Sequence, residues 1–303
     1  MLDTLFPFKR NFLSRNGHKL HYVNEGQGEP VVMVHGNPSW SFYYRNLVTE
    51  LSQNHQCIVP DHIGCGLSDK PDDMGYDYTL KNRIDDLEAL LEHLEVRESI
   101  TLVVHDWGGM IGMGYAARYP DRIKRLVILN TGAFHLPDTK PFPWALWICR
   151  NTLLGTGLVR GFNAFSSIAS YIGVKRKPMS PEVRKAYVSP FNSWANRIST
   201  LRFVQDIPLR KGDRNYELVS EIAASLPKFS HVPTLICFGL KDFVFDKHFL
   251  AVWREKMPHA TVHEFEDCGH YILEDASDEV VPLISDFMKT PLATDNKPSE
   301  ADL

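Results

Sequence analysis

The feature that most constrains the fold of this sequence is a series of short, continuous apolar runs that alternate with helical patterns. The runs Pro30 to His35, Ser99 to His105 and Ile123 to Asn130 are rich in β-branched residues, as expected of strands buried on both faces. The segments between them, such as Thr79 to His93, have helical spacing. Because strands and helices alternate over short connections, we predict an α/β fold with a mostly parallel central sheet and helices on both faces.

The alternation stops near residue 134 and resumes near residue 215. Between these points the chain has helical patterns rich in aromatic residues and arginine, but no strand-like run. We therefore predict a core made of residues 1–133 and 215–290, split by a helical cap at 134–214. The cap is expected over the edge of the sheet where open α/β sheets bind ligands. The polar residues 291–303 are predicted to form a flexible tail.

Composition limits the classes of partner. The 303 residues include 33 Lys and Arg against 37 Asp and Glu, a net charge of −4, so we expect no basic surface for nucleic acid. No window has the ~18 consecutive apolar residues of a transmembrane segment. Charged residues interrupt the N-terminal segment before any apolar stretch reaches the length of a signal peptide. We expect a cytoplasmic protein that acts on a small apolar substrate. Small core residues with unpaired thiols, in a reducing compartment, are predicted at Cys57, Cys65, Cys149, Cys237 and Cys268.

The junction Val104 to Gly109 predicts a tight turn between a strand and a helix. Such a turn, followed by small residues, raises one side chain above the sheet as a nucleophile. That side chain is Asp106, where serine hydrolases have Ser; the alternative is that Asp106 only caps the helix. A carboxylate is already ionised at neutral pH and needs no base, so it can form an ester with an sp³ carbon or a mixed anhydride with a carbonyl.

Two later residues occupy the positions that this type of fold gives to the partners of a nucleophile. Asp242 follows the strand-like run PTLICFG, and His270 follows ATVHEF. We predict that His270 transfers a proton or activates water, and that Asp242 orients His270. The glycines of residues 60–69 fit a structural turn better than a phosphate loop, and no metal-ligand spacing occurs. We expect no cofactor and no metal.

Two further residues are candidates for an anion site. The loop His35-Gly36-Asn37-Pro38 is expected to face the nucleophile, with backbone N–H groups directed at a developing negative charge. The amide of Asn37 and the indole of Trp107 would add two side-chain donors. Alternatively, Asn37 shapes a turn and Trp107 packs against the cap. The two donors would hold a leaving halide or a developing carboxylate equally well.

Two sets of cap side chains are candidate substrate contacts. Six aromatic residues either line an apolar channel or attach the cap to the core: Phe142, Trp144, Trp147, Phe162, Phe165 and Phe191. Three arginines face either a carboxylate or, as we expect, the solvent: Arg184, Arg197 and Arg202.

The segments HGNP, PDHIGCGLSDKP, HDWGG, GLKD and DCGHY follow one another between about Phe12 and Lys289. In this order they resemble the haloalkane dehalogenases of the α/β-hydrolase superfamily. Within that group the sequence is most similar to the β-lactone decarboxylase family of bacterial long-chain olefin biosynthesis, because the cap segments FNAFSS, AYVSP and NRISTLRFVQDIPL also match. The resemblance implies an Asp106 nucleophile with His270 and Asp242, and an anion site at Asn37 and Trp107.

The resemblance also implies a substrate and partners. The substrate would be a cis-3,4-dialkyl-oxetan-2-one with long alkyl chains, the products a cis-olefin and CO₂, and the upstream β-lactone synthetase and other olefin-pathway enzymes possible partners in an assembly. Attack at the alkyl ring carbon and attack at the carbonyl both remain open.

Three other functions are alternatives to this interpretation. Haloalkane dehalogenation is the main one, since the same five residues serve it. Epoxide hydrolysis would need two tyrosines near the cap, for which Tyr171, Tyr187 and Tyr216 are candidates. A non-catalytic receptor is disfavoured because the three catalytic positions have competent residues.

Overall fold

The predicted mostly parallel sheet is present in the computed structural model, which describes residues 2–290; the predicted tail at 291–303 lies outside these residues. Within residues 2–290, the strands of the sheet are β1 (Asn11–Arg15), β2 (His18–Glu25), β3 (Pro30–Val34), β4 (Gln56–Pro60), β5 (Ile100–Asp106), β6 (Ile123–Thr131), β7 (Thr234–Gly239) and β8 (Thr261–Phe265). The order across the sheet is β1-β2-β4-β3-β5-β6-β7-β8. β2 pairs antiparallel with β1 and β4, and the other pairs are parallel.

Helices cover both faces of this sheet. The α-helices within residues 2–290 are α1 (Leu2–Leu5), α2 (Arg45–Leu51), α3 (Leu80–His93), α4 (Trp107–Arg118), α5 (Trp144–Asn151), α6 (Leu153–Thr156), α7 (Ala164–Ile172), α8 (Pro181–Val188), α9 (Ile198–Gln205), α10 (Tyr216–Ser225), α11 (Lys247–Lys256), α12 (Ile272–Asp275) and α13 (Ser277–Lys289). Short 3₁₀ turns lie at Ser41–Tyr44, Pro120–Arg122, Ser189–Phe191, Ala195–Arg197 and Leu226–Phe229, and a π-helical turn at Gly157–Gly161. The α/β fold is therefore confirmed.

The central strand β5 shows why the apolar runs are continuous. Leu102 and Val104 pack into the core beneath α3, α4, α10 and α11, whereas Val103 packs into the core beneath α2, α12 and α13. Successive strand residues point to opposite faces, so a strand covered on both sides needs apolar residues at every position.

The segment between β6 and α10 contains helices α5 to α9 and, within the described residues, no strand. Its helices lie over the carboxyl ends of β5, β6 and β7, because side chains from both lie around one cavity. None of the helices described in residues 2–290 is long and apolar enough to cross a membrane.

Candidate active site

The turn between β5 and α4 places Asp106 above the carboxyl edge of the sheet. Asp106 has φ of 52° and ψ of −128°, a strained backbone conformation for a non-glycine residue. Asp106 directly precedes α4, but its side chain makes no N-cap hydrogen bond to the second or third residue of that helix, so the capping alternative is wrong. Close approach requires glycine nearby: a Cβ on Gly108 would lie 1.9 Å from the carbonyl oxygen of Val34, and one on Gly36 1.9 Å from Oδ1 of Asp106.

The carboxyl of Asp106 is buried and only partly stabilised in its charged form. Oδ1 accepts a hydrogen bond of 2.5 Å from the backbone N–H of Asn37. Burial raises the pKa of Asp106 to about 6, against the opposing effects of His270 and of the backbone N–H groups of Asn37 and Trp107. The predicted anion hole therefore holds the nucleophile itself.

His270 lies between two carboxylates. Its Nδ1 donates to Oδ2 of Asp242 at 2.8 Å, and its Nε2 is 3.6 Å from Oδ2 of Asp106. Burial alone would lower the pKa of His270, but the charge and hydrogen bond of Asp242 and the charge of Asp106 outweigh it and raise the pKa. The structure thus brings together the three residues whose order along the chain predicted a triad.

Sequence reasoning missed Asn130, which joins the loops of this triad. Its Nδ2 donates to Oδ2 of Asp242 at 3.1 Å and to the carbonyl oxygens of Gly239 and Phe245 at 2.9 and 3.1 Å. Its Oδ1 accepts from the N–H of Gly239 at 2.8 Å. Asn130 is fully buried near the end of β6 and has φ of 33°. The available signal was a polar residue closing an apolar run, IKRLVILN.

Asn37 and Trp107 both border the cavity beside Asp106. The amide of Asn37 donates to the carbonyl oxygen of Thr200 in α9 at 3.2 Å, and its Oδ1 is buried with no partner among the described residues. The indole of Trp107 packs against Phe203 with ring centroids 5.3 Å apart. Both residues therefore have structural contacts, and their use as anion donors stays a prediction.

A cavity of about 360 Å³ lies between the sheet edge and α5, the π-helical turn, α7 and α9. Asp106 and His270 contribute its reactive groups, and most of the other lining side chains are apolar. Away from these reactive groups, the cavity wall includes His135, which is hydrogen-bonded to Ser220, and Lys140, which forms an ion pair with Asp246. An apolar chamber with a carboxylate nucleophile suits an apolar electrophile.

The six aromatic candidates of the cap divide evenly. Phe142, Trp144 and Phe165 line the cavity. Trp147 and Phe162 instead face solvent, and Phe191 is buried away from the cavity, so the channel interpretation is wrong for these three.

The arginine candidates do not line the cavity either. Arg184 lies over the ring of Tyr171, Arg197 donates to backbone carbonyls including that of Phe191, and Arg202 pairs with Asp73. None of the three therefore faces a substrate in the cavity, but each is partly buried and makes contacts within the protein, so the expectation of a solvated surface is met only in part.

The tyrosines that epoxide hydrolysis would need lie elsewhere. Tyr171 is exposed, Tyr187 donates to Glu274, and Tyr216 stacks on His135; none of the three lines the cavity. Epoxide hydrolysis therefore lacks its two donors.

The described residues contain no group of His, Cys, Asp or Glu suited to a metal ion. The five cysteines are free thiols: four are buried, and Cys149 is half-buried at the cavity wall. The prediction of core positions therefore fails for Cys149 alone.

Comparisons with known proteins agree with this geometry. A family model described as alpha/beta hydrolase fold matches residues 29–277. The chain is 82% identical to a cis-3-alkyl-4-alkyloxetan-2-one decarboxylase of Shewanella oneidensis, over 99% of this chain and 95% of that protein. It is 52% identical to a decarboxylase of the same name from Xanthomonas campestris pv. campestris, over 91% and 94%.

Among solved structures, the haloalkane dehalogenase DatA of Agrobacterium tumefaciens C58 superposes with a TM-score of 0.83 over 92% of this chain and 96% of that one. At 23% identity this likeness shows the fold alone. The chain belongs to the α/β-hydrolase family and, within it, to the family of the cis-3-alkyl-4-alkyloxetan-2-one decarboxylases.

Proposed function

We propose that this chain decarboxylates cis-3-alkyl-4-alkyloxetan-2-ones to cis-olefins and CO₂, with Asp106 as nucleophile. The observation that carries the proposal is the 82% identity with a decarboxylase along nearly the whole chain, cap included. The apolar cavity above Asp106 supports it, because the substrate presents two alkyl chains and one strained polar ring. We propose that residues 134–214 form the cap that encloses those chains.

The hydrogen bonding of Asp106 favours one of the two chemical routes. The backbone N–H of Asn37 already binds Oδ1 of Asp106, and that of Trp107 stabilises the same carboxylate. These donors are therefore not free to stabilise an oxyanion formed from a lactone carbonyl. Attack at the alkyl ring carbon needs no such hole, so we propose that Asp106 attacks there.

The proposed route balances without a proton or water. An oxygen of Asp106 bonds to ring carbon C4, the C4–O bond breaks, and the ring oxygen becomes part of a free carboxylate. The bond from C3 to this carboxylate then breaks, its electron pair forms the C3=C4 double bond, and the C4–Asp106 ester bond breaks. Inversion followed by anti elimination converts a cis ring to a cis-olefin.

His270 has a clear electrostatic task in this route. Its raised pKa, due to Asp242 and Asp106, favours an imidazolium 3.6 Å from Oδ2 of Asp106. We propose that this cation stabilises the carboxylate regenerated at Asp106, and that Asp242 holds the ring in place. Asn37 and Trp107 are proposed to hold the substrate carboxylate formed when the ring opens. Water must stay out of the site, because hydrolysis of the ester would compete.

The decisive experiment compares two substrates. Purified protein is incubated with a cis-dialkyl β-lactone and with 1-bromobutane, and olefin is followed by gas chromatography and bromide by ion analysis. We expect olefin from the lactone and little bromide. Rapid bromide release without olefin would instead establish the dehalogenase alternative, which uses the same residues.

A pair of variants tests the nucleophile. Asp106→Ala should abolish olefin formation while the protein stays folded. Asp138→Ala removes an exposed cap carboxylate that does not line the cavity and should leave turnover unchanged. Turnover by Asp106→Ala at the rate of Asp138→Ala would remove Asp106 from its assigned role.

The cellular setting is part of the proposal. We propose that the protein is cytoplasmic, that it serves long-chain olefin biosynthesis, and that it assembles with the enzyme that forms the lactone. The support is chemical: a lactone with two long alkyl chains is poorly soluble in water and strained, which favours its transfer over a short distance.

A further inference from the structure

The outer surface of the cap exposes many large apolar side chains. We define the cap apolar face by six of them, all at least half exposed: Trp147, Leu153, Leu154, Phe162, Tyr171 and Trp194. Leu153 is 90% exposed and Phe162 81%, so their burial does not stabilise this fold. Contiguous apolar patches of this kind mark binding surfaces.

The mouth of the cavity opens at this face. Five residues are exposed to solvent and also line the cavity: Trp144, Leu158, Ile168, Ile172 and Phe243. Four of them lie on α5, the π-helical turn and α7. Helices α5 and α7 also carry Trp147 and Tyr171, and Phe162 directly follows the π-helical turn. An apolar molecule entering the cavity therefore passes across the cap apolar face.

Charge separates the cap from the rest of the chain. Residues 134–214 contain 13 Lys and Arg but 4 Asp and Glu, a net charge of +9 in a chain whose total is −4. Seven of the 13 cations pair with carboxylates, five of them with acids outside residues 134–214. The positive charge left on the cap comes from the six that form no ion pair among residues 2–290: Arg160, Lys175, Arg184, Lys185, Arg197 and Lys211.

Some of these cations lie directly beside the apolar side chains. Arg160 stacks on Trp194 at 4.7 Å, and Arg184 on Tyr171 at 4.6 Å. Neither has a carboxylate within 4.0 Å in residues 2–290. Aromatic side chains flanked by arginine are suited to the boundary between lipid headgroups and acyl chains.

We propose that the cap apolar face docks on the surface of an anionic phospholipid bilayer, with the cavity mouth turned toward the lipid. Apolar side chains enter the interfacial region while cationic side chains meet the headgroups. For a substrate of the proposed function, docking lets the alkyl chains pass from bilayer to cavity without crossing water. The docking itself does not depend on that function.

A second copy of the chain is a less favourable occupant of this face. A symmetric dimer would bring Arg160 and Arg184 of two copies to one interface. Neither arginine has an ion pair among residues 2–290, and like charges in contact oppose association. An anionic membrane supplies the opposite charge together with an apolar layer.

The first test is flotation of the purified protein with lipid vesicles. We expect association with vesicles that contain phosphatidylglycerol, little with pure phosphatidylcholine, and release at high salt. The variant Leu153→Ser/Leu154→Ser changes two exposed residues that do not line the cavity, so its turnover of a short-chain lactone in solution should be unchanged. Its partition coefficient should fall roughly tenfold or more.

Phe12→Ser is the matched control. Phe12 is 47% exposed on edge strand β1, four strand positions or roughly 19 Å across the sheet from β5. This variant should bind vesicles like the wild type. Equal binding by Leu153→Ser/Leu154→Ser and the wild type would overturn the proposal, as would failure of the wild type to bind phosphatidylglycerol vesicles.

Tryptophan fluorescence gives a second, local measurement. Trp144, Trp147 and Trp194 are exposed in the cap, whereas Trp40, Trp107 and Trp253 are buried. We expect phosphatidylglycerol vesicles to shift the emission to the blue, and brominated lipids to quench it. No quenching would overturn the proposal. Dimers in sedimentation velocity that are dissociated by Leu153→Ser/Leu154→Ser, without vesicle binding, would assign the face to a second copy instead.

Discussion

Replacement of Asn130 tests whether this residue positions Asp242 and His270 for catalysis or only stabilises the fold. Asn130→Ala removes the amide that donates to Asp242, Gly239 and Phe245 and that accepts from Gly239. Asn130 is fully buried in the intact protein. The loop that carries Asp242 then loses its attachment to β6, and the orientation of His270 becomes less defined.

The expected loss of stability can be worked from these contacts. Each buried backbone group left without a partner costs about 1–3 kcal/mol, and alanine at φ of 33° costs about 1 kcal/mol more than asparagine. Partial relaxation of the loop leaves a net loss of about 3–5 kcal/mol, or about 10 °C in Tm for a chain of this size. Asn130→Gly lacks the backbone strain and should be about 1 kcal/mol more stable than Asn130→Ala.

Asn130→Asp tests positioning rather than stability. It keeps the shape but replaces the donor by a carboxylate beside Oδ2 of Asp242, at a site where the present contact is 3.1 Å. Two carboxylates this close bind one proton between them, and that proton restores the hydrogen bond. We expect the kcat of Asn130→Asp to be about 10- to 100-fold below that of the wild type at neutral pH, and the difference in kcat to become smaller as the pH falls.

The assay combines thermal unfolding with the pH profile of olefin formation well below Tm. Asn54→Ala, at an exposed position, is the control and should match the wild type in both. If Asn130→Ala is destabilised but turns over normally, or if the deficit of Asn130→Asp does not change with pH, Asn130 is structural only and the reasoning is refuted.

Three further predictions follow from Asp106 and its neighbours. Turnover should fall as the pH drops through about 6, because the nucleophile is protonated there, and again at high pH where His270 loses the charge that its raised pKa favours; a flat pH–rate profile would contradict both assignments. The pKa of Asp106 is raised on folding, so this carboxyl destabilises the protein above its unfolded pKa. Asp106→Asn should therefore raise the free energy of unfolding by up to about 3 kcal/mol at neutral pH and by little near pH 4, as thermal unfolding at the two pH values would show. Gly36→Ala places a methyl group 1.9 Å from Oδ1 of Asp106 and should abolish turnover, whereas Gly157→Ala, which meets nothing within 4 Å, should be active; equal activities would mean that Gly36 does not define the position of the nucleophile.

The strands were predictable because burial on both faces leaves little choice of residue. The run SITLVVH is continuous for this reason, and its end located Asp106 before any contact was known. The meeting of Asp106, Asp242 and His270 was predictable because each lies at or after the end of a strand, and parallel strands end at one edge of the sheet.

What could not be predicted depends on contacts between distant segments. Asn130 closes an apolar run like many other polar residues, and its importance comes from the carbonyl groups of a loop more than 100 residues later. Phe162 and Phe165 lie on the same cap segment, yet one faces solvent and the other the cavity, because helical spacing identifies a face but not what covers it.

The insertion between β6 and α10 also determines when the enzyme becomes complete. Asp106 and Asn37 belong to the first part of the chain to be synthesised, whereas the contact of His105 with His270 joins residues 165 positions apart. During synthesis the chain therefore contains Asp106, and then its entire cap, before His270 has been added. Copies truncated before β8 lack both that strand and His270, so incomplete synthesis yields a chain without the imidazole that lies beside Asp106.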